Sequence, residues 1–354
     1  MISSILEHYN IRDFKSEILV NGLINKTWKI TAGADQYILQ RINDHVFKNP
    51  TDIAANLDNI DTYLRQNSPG YLFVAPLKSA SNQPLTYVPD YGYYRLFPFV
   101  PESHTMTVVT SPLEAFEAAS QFGKFTRLLS GFDAGSLHVT IPDFHNLALR
   151  YRQFEMAITT GNANRISESA EAIETIRKRI DILNDFESLK LNGSIRQRVI
   201  HHDTKISNVL FDAKGRGICI IDLDTVMPGF FISDVGDMMR TYLSPASEEE
   251  KDFSRIEVRD DYFKAIVQGY LNAMHDELTA DEQHLFYYAG TFLVYMQAIR
   301  FLADYCNDDV YYGASYEGQN FIRTMNQLTL LQRLEEKKPV LERIVANEII
   351  KIKR

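Results

Sequence analysis

Apolar and polar residues mix in short segments over the first hundred residues, a pattern typical of β-strands. The segments cover residues 17–20, 26–31, 37–41, 72–77, 85–88 and 93–100, and several of them are separated by turn-forming residues. Between the third and fourth segments, apolar residues recur at helical spacing, at Ile53, Leu57, Ile60 and Leu64. The pattern predicts an antiparallel sheet with one helix, over residues 51–65.

From residue 111 onward the apolar spacing becomes helical. Ser111, Pro112 and Glu114 form a strong start signal, because serine caps a helix, proline fits its first position and glutamate closes a capping box. Further helical patterns cover residues 165–190, 262–274, 281–305 and 321–350. Two short strands, at 209–211 and 217–221, interrupt these helices. We therefore predict an α+β fold, with a sheet lobe at residues 1–100 and a larger helical lobe at residues 101–354.

Composition narrows the class of protein. The chain has 354 residues and a formal charge of −9, from 46 acidic and 37 basic residues. Nucleic-acid binders usually carry a basic surplus, so a nucleic-acid partner is not expected. No segment approaches the ~20 apolar residues that cross a bilayer, and the N-terminus lacks the features of a secretory signal. The two cysteines form neither a disulfide framework nor a zinc cluster. We expect a cytoplasmic protein without a membrane partner.

Polar residues concentrate around the strand hairpin that interrupts the helices. Asp203 and Asn208 precede its first strand, and Asp222 follows its second strand. If the hairpin folds back at its turn, these three side chains converge at its open end. Carboxylate and amide oxygens are the ligands that Mg²⁺ prefers in proteins. The spacing therefore indicates a magnesium site.

The spacing of these residues resembles a known catalytic loop. The order His201-x-Asp203-x-x-x-x-Asn208, followed by Ile221-Asp222, resembles that of protein kinases and aminoglycoside phosphotransferases. The segments HHDTKISNVLFD, CIIDLDTVMPG and SDVGDMMR, together with residues 22–25, 37–43 and 300–305, resemble the phosphotransferase branch that includes N-acetylhexosamine 1-kinase. The resemblance covers most of the chain, from about residue 20 to about residue 335.

This resemblance implies a protein-kinase-like fold of two lobes that uses ATP and Mg²⁺. Asp203 would accept the proton of the attacking hydroxyl, and Lys205 would neutralise charge that develops on the transferred phosphate. Asn208 and Asp222 would hold Mg²⁺, and Asp224 would be a second metal ligand or a substrate ligand. By the same resemblance, His201 supports the loop, and Asp234 and Asp237 brace it.

The predicted nucleotide site departs from the kinase pattern. The phosphate loop has only Gly22, with Asn25 and Thr27 as polar donors, and the usual strand lysine is missing. Gln40 or Arg41 stands near its place, and the register between them is open. Residues 51–65 contain no glutamate for the customary ion pair, so either Arg41 uses another partner such as Asp52 or the nucleotide is held differently. Residues 95–101 resemble the hinge, where Phe97 and Phe99 would contact the nucleotide.

The acceptor is predicted to be a small molecule with a hydroxyl group, and the resemblance favours an amino sugar. The preferred reaction is phosphorylation of an N-acetylhexosamine at its anomeric hydroxyl. Arg300 lies in an apolar helical segment and would contact this substrate, or would simply pair with an acid. Tyr311 and Tyr312 are expected to pack in the core, and the alternative is packing against the faces of a sugar. The alternatives are another acceptor, of the aminoglycoside, choline or homoserine type, and a pseudokinase that binds nucleotide without turnover.

Overall fold

The N-terminal part of the chain is an antiparallel sheet. The structure is a computed structural model that describes residues 1–19 and 24–353. Helix α1 (Ile2–Glu7) comes first, and helix α2 (Pro50–Asn67) follows the third strand. The five strands have the spatial order β1-β2-β3-β5-β4 and comprise β1 (Lys15–Leu19), β2 (Lys26–Ala32), β3 (Asp35–Arg41), β4 (Thr86–Val88) and β5 (Gly92–Pro98). The predicted sheet and helix are confirmed, but the strand predicted at 72–77 is wrong, because this segment is irregular.

The two faces of this sheet differ in character, because successive side chains of a strand point to opposite sides. One face packs against α1 and buries a small apolar cluster of Ile5, Leu6, Trp28, Ile30, Leu39, Tyr94 and Leu96. The strand register aligns Thr27 with Gln40 and Gln40 with Arg95, and these three alternate with the buried residues. The second face therefore carries a row of polar side chains.

The rest of the chain is mainly helical. Its helices are α3 (Pro112–Leu128), α4 (Leu147–Thr160), α5 (Ala163–Glu168), α6 (Ala170–Arg177), α7 (Asp181–Leu191), α8 (Phe231–Tyr242), α9 (Asp260–Met274), α10 (Ala280–Gln283), α11 (Phe286–Cys306), α12 (Gln319–Glu336) and α13 (Lys338–Ile352). The capping box predicted at Ser111 is confirmed at the start of α3. The helix predicted over residues 165–190 is wrong as a single element, since the chain breaks it into α5, α6 and α7.

Two short two-stranded ribbons interrupt the helices. The first ribbon pairs β6 (Gln197–Ile200) with β9 (Met227–Phe230), and the second pairs β7 (Val209–Phe211) with β8 (Gly217–Ile220). The sequence predicted the second ribbon but not the first. The β6–β9 ribbon brings the segments before Asp203 and after Asp224 together, so it fixes both ends of the region that contains the polar loops.

The main core lies among the long helices. Helix α11 is almost wholly buried, and glycines allow close helix approach: Gly236 of α8 lies against Ala289, and Gly269 of α9 lies against Phe116. Among the described residues, no helix is both long enough and apolar enough to cross a membrane. The sheet ends at Pro98 and α3 begins at Pro112, so the predicted boundary at residue 101 falls in the connection between them.

Candidate active site between the sheet and the helices

The predicted catalytic loop brings its three key side chains together. The Lys205 Nζ atom lies 3.1 Å from Asp203 Oδ2, and Asn208 Nδ2 donates to the same oxygen at 3.2 Å. Burial alone would lower the pKa of Lys205, but the carboxylate of Asp203 outweighs burial and the pKa is raised. Lys205 is therefore a fixed positive charge beside a carboxylate that is partly open to solvent.

Two acidic residues of α8 hold this loop by its backbone. The carboxylate of Asp234 accepts N–H groups of His201 and His202 at 3.1 and 2.7 Å, and Asp237 accepts the N–H of Thr204 at 2.8 Å. Burial raises the pKa of Asp234 to about 7, although both backbone bonds oppose this rise. The predicted bracing role of Asp234 and Asp237 is confirmed.

His201 connects the catalytic loop to the segment that precedes Asp222. Its Nδ1 atom accepts the N–H of Asp203 at 3.3 Å, so Nε2 carries the proton and lies 3.0 Å from the carbonyl oxygen of Ile221. Burial lowers the pKa of His201, which keeps the ring neutral. The interpretation of His201 as a support of the loop is therefore confirmed.

The hairpin places Asp222 opposite Asn208, as its turn predicted. The N–H of Ile221 donates to the Asn208 carbonyl at 2.9 Å, and Asp222 then adopts a left-handed backbone with φ 59° and ψ 57°. Asp222 is exposed to solvent. Desolvation by neighbouring protein atoms, together with the charges of Asp224 and Asp203, nevertheless raises the pKa of Asp222 to about 7.

A divalent cation fits this arrangement. The excess of negative charge around Asp222 is what a cation would offset, and Asn208 adds a neutral oxygen ligand. Among the described residues, no three His, Cys, Asp or Glu side chains form a metal-binding cluster. A site with one carboxylate and one amide suits Mg²⁺ nevertheless, because Mg²⁺ commonly takes its remaining ligands from phosphates and water.

The polar row of the sheet meets the helical part of the chain at Asp224. Arg95 Nη2 lies 2.5 Å from Asp224 Oδ1, and Asn25 Nδ2 donates to Asp224 Oδ2 at 2.8 Å. Gln40 Oε1 accepts two N–H groups of Arg95, at 2.9 and 3.2 Å, and Gln40 Nε2 lies 3.4 Å from Thr27 Oγ1. The structure thus gathers Asn25, Thr27 and Gln40 in one network, with Asp224 as its partner.

Arg41 does not join this network. It is aligned with Tyr94, whose ring is buried in the apolar cluster on the opposite face of the sheet. Asp52, the partner considered for Arg41, instead lies 3.8 Å from the His138 ring. Of the two candidates near the place of the strand lysine, Gln40 is the one that faces the cleft.

The hinge residues lie along the same face as the polar row. Phe97 contacts the guanidinium of Arg95, with 5.0 Å from Cζ to the ring centroid, and Lys29 Nζ lies 4.2 Å from the centroid of Phe99. Both rings are partly exposed, so they offer apolar surface on the cleft side. Gly22, the predicted glycine of the phosphate loop, lies outside the described residues.

Arg300 lies among aromatic rings. Its Cζ atom is 5.6 Å from the ring centroid of Phe144, 5.7 Å from that of Tyr311 and 5.4 Å from that of Tyr312. Its two polar contacts, to Gln297 Oε1 and the Tyr311 hydroxyl, are long at 3.3 and 3.4 Å. The expectation of core packing is wrong for Tyr311, which is 67% exposed.

Arg95 is the functional candidate that the sequence reasoning missed. The sequence analysis places it only at the start of the predicted hinge, although its charge stands in the otherwise apolar strand β5, between the buried Tyr94 and Leu96. A charged residue that is 2% exposed requires a partner. This requirement could have identified Arg95 as a candidate from the sequence, but only the fold identifies Asp224 as its partner.

An aspartate beside a lysine, with an asparagine and a second aspartate brought together by the neighbouring hairpin, is the arrangement expected of a kinase-like phosphotransferase. The chain belongs to the phosphotransferase enzyme family known as APH, whose pattern it matches over residues 17–279.

Solved structures share this fold across nearly their whole length. An aminoglycoside phosphotransferase from Alicyclobacillus acidocaldarius is 14% identical with a TM-score of 0.63, over 98% of this chain and 95% of that one. A microcompartment-associated aminopropanol kinase is 17% identical with a TM-score of 0.62, over 96% and 98%. A choline kinase from Cryptosporidium parvum is 13% identical with a TM-score of 0.56, over 99% of each chain. At these identities, the likeness concerns the fold.

Proposed function

We propose that this phosphotransferase uses ATP and Mg²⁺ to phosphorylate an N-acetylhexosamine at its anomeric hydroxyl. The nucleotide would lie between the polar face of the sheet and the catalytic loop, with Asn208 and Asp222 holding the metal. When bound, Mg²⁺ would neutralise phosphate charge. The acceptor would lie on the other side of Asp203, towards Arg300.

The chemistry assigned to the protein's own residues follows from the loop geometry. Asp203 accepts hydrogen bonds from Asn208 and Lys205 on one oxygen, which leaves its other oxygen for the proton of a hydroxyl. Lys205 carries a positive charge beside Asp203, where it would neutralise negative charge on the oxygens of the transferred phosphate. His201 and Asp234 fix the backbone of the loop, so the base is positioned before substrate binds.

The choice of acceptor rests on the surroundings of Arg300. No ion pair of the described residues includes it, and the aromatic rings that could surround a cationic acceptor already face its guanidinium. Burial and the charge of Arg300 also lower the pKa of Arg150, so a second arginine lies within electrostatic reach of Arg300. Such surroundings repel an aminoglycoside, choline or a free amine. They suit a neutral sugar, whose hydroxyl and acetamido oxygens accept hydrogen bonds from arginine.

The position of Arg300 relative to the base supports this choice. The ring of Phe144 stands between Arg300 and His202, with 6.3 Å between the centroids of Phe144 and His202. His202 is the chain neighbour of Asp203. Contacts through Phe144 and His202 therefore link Arg300 to the chain neighbour of Asp203.

The test is a panel of acceptors with ATP and Mg²⁺, in which release of ADP and the phosphorylated product are measured. We expect turnover with N-acetylglucosamine or N-acetylgalactosamine and none with their 1-O-methyl glycosides, in which the anomeric oxygen is blocked. Choline, ethanolamine, homoserine and an aminoglycoside serve as the charged alternatives. Turnover of one of these without turnover of either sugar would overturn the assignment. Nucleotide binding without transfer to any acceptor would favour the pseudokinase alternative.

A further inference from the structure

The missing strand lysine leaves a gap in the machinery for phosphate binding. Kinases use that lysine, held by a helix glutamate, to contact the phosphates of ATP. Here the equivalent helix α2 supplies no glutamate towards the cleft. Its buried Asn56 instead binds the carbonyl oxygens of His138 and Val226. Another cation and another acid would have to do this work.

Among the described residues, Arg95 and Asp224 form the one buried ion pair between the sheet and the segment that follows Asp222, which we call the metal-site segment. Their side chains are 2% and 3% exposed, and the pair lies on the polar face of the sheet. Gln40 holds the guanidinium through Nε and Nη2, and Asn25 holds the carboxylate. The Arg95–Asp224 pair therefore occupies a position like that of the missing lysine and glutamate, and neighbouring side chains hold it there.

One nitrogen of the Arg95 guanidinium remains available as a hydrogen-bond donor. Its Nη1 atom is buried and makes no hydrogen bond with the residues that the structure describes, which is unusual for an arginine otherwise held by an amide and a carboxylate. Arg95 also lies within electrostatic reach of Asp222, the proposed metal ligand. An anionic ligand at the metal would satisfy this donor.

We propose that Arg95 binds the phosphate chain of ATP in place of the strand lysine, and that Asp224 and Gln40 position it. The inference rests on the proposed function only in so far as ATP is the ligand. It changes the expected role of Asp224 from a substrate contact to a positioning residue. The cation is thereby supplied from strand β5 instead of β3, and its acidic partner comes from the metal-site segment instead of a helix.

The test compares the binding of ATP with that of adenosine, which shares the base and ribose but has no phosphate. Calorimetric titrations would be made with the full chain and with Arg95→Met, Arg95→Lys and the control Arg12→Met, an exposed arginine of the N-terminal part. We expect Arg95→Met to weaken ATP binding by about 10- to 100-fold, as for a lost bond to a charged group, and to leave adenosine binding unchanged. Arg95→Lys should recover part of the loss.

A buried Asp224 without its partner could unfold the single variant, so Arg95→Met/Asp224→Asn removes both charges together. If a folded variant without the arginine retains the wild-type ratio of ATP to adenosine affinity, the inference is wrong. Its failure is distinguishable from failure of the proposed function. If the wild type phosphorylates a sugar and Arg95→Met is equally active, only the inference about Arg95 is refuted. If the wild type phosphorylates no sugar but needs Arg95 to bind ATP, only the acceptor assignment is refuted.

Discussion

Replacing Asp203 by asparagine tests the assignment of the base most directly. Asparagine keeps a carbonyl oxygen that can accept the Asn208 bond, so the shape of the loop is preserved. It cannot take a proton from the acceptor hydroxyl at neutral pH. General-base catalysis is worth ~10²–10⁴-fold in rate, which corresponds to about 3–5 kcal/mol of transition-state stabilisation.

The effect of this substitution on folding should be much smaller. The carboxylate of Asp203 is 24% exposed and its partner Lys205 is 36% exposed, so their ion pair contributes less than about 1 kcal/mol. We therefore expect Asp203→Asn to unfold within about 1 kcal/mol of the wild type, as measured by urea denaturation, and to bind ATP normally.

The assay measures kcat and KM for the sugar and for ATP by coupled detection of ADP. Asp185→Asn, the same change at an exposed position of α7 whose side chain makes no hydrogen bond with the described residues, is the matched control and should leave both constants unchanged. A folded Asp203→Asn variant with kcat within tenfold of the wild type would refute the role of Asp203 as the base.

Three further outcomes follow from the site. Asp222→Ala should abolish the Mg²⁺-dependent gain in ADP affinity seen by calorimetry, whereas Asp185→Ala should not; a preserved gain would remove Asp222 from the metal site. Burial lowers the pKa of His202 from 6.5 to about 4, so its neutral form stabilises the fold fully above pH 6.5, and about 3 kcal/mol is lost as the pH falls towards 4. His202→Asn should lose less stability than the wild type between these pH values in urea titrations, and an identical pH dependence would contradict this account. Arg300→Gln should raise KM for the sugar more than KM for ATP, while the same change at the exposed Arg343 of α13 changes neither; an unchanged sugar KM would remove Arg300 from the acceptor site.

Much of the fold and part of the site could be predicted from local sequence. The capping box at Ser111 depends only on neighbouring residues, and the hairpin turn brought Asn208 and Asp222 together as predicted. Contacts between residues far apart in the sequence were harder to predict. Whether Gln40 or Arg41 faces the cleft depends on strand register, because a shift of one residue reverses the face. The partner of Arg95 lies 129 positions away, at Asp224, and only the packing of the sheet on the helical part reveals it.

Helix breaks were also beyond the reach of apolar spacing. The stripe over residues 165–190 continues through α5, α6 and α7, although the chain turns between them. The break between α12 and α13 is easier to explain, because Pro339 occupies the first turn of α13 and cannot continue the preceding helix. Periodicity reports which side chains are buried, and it is insensitive to where the backbone changes direction.

The two acids of α8 and the arginine of α11 belong to different helices, and this separation has an evolutionary consequence. Asp234 and Asp237 hold the loop that carries the base, whereas Arg300 and its aromatic neighbours Tyr311 and Tyr312 lie on α11 and the segment after it. If Arg300 contacts the acceptor as proposed, substitutions at Arg300 and in the segment after α11 would alter what is recognised while the acids of α8 keep their bonds to the catalytic loop. A lineage built on this scaffold would then acquire new acceptors through these few positions while its chemistry stays constant.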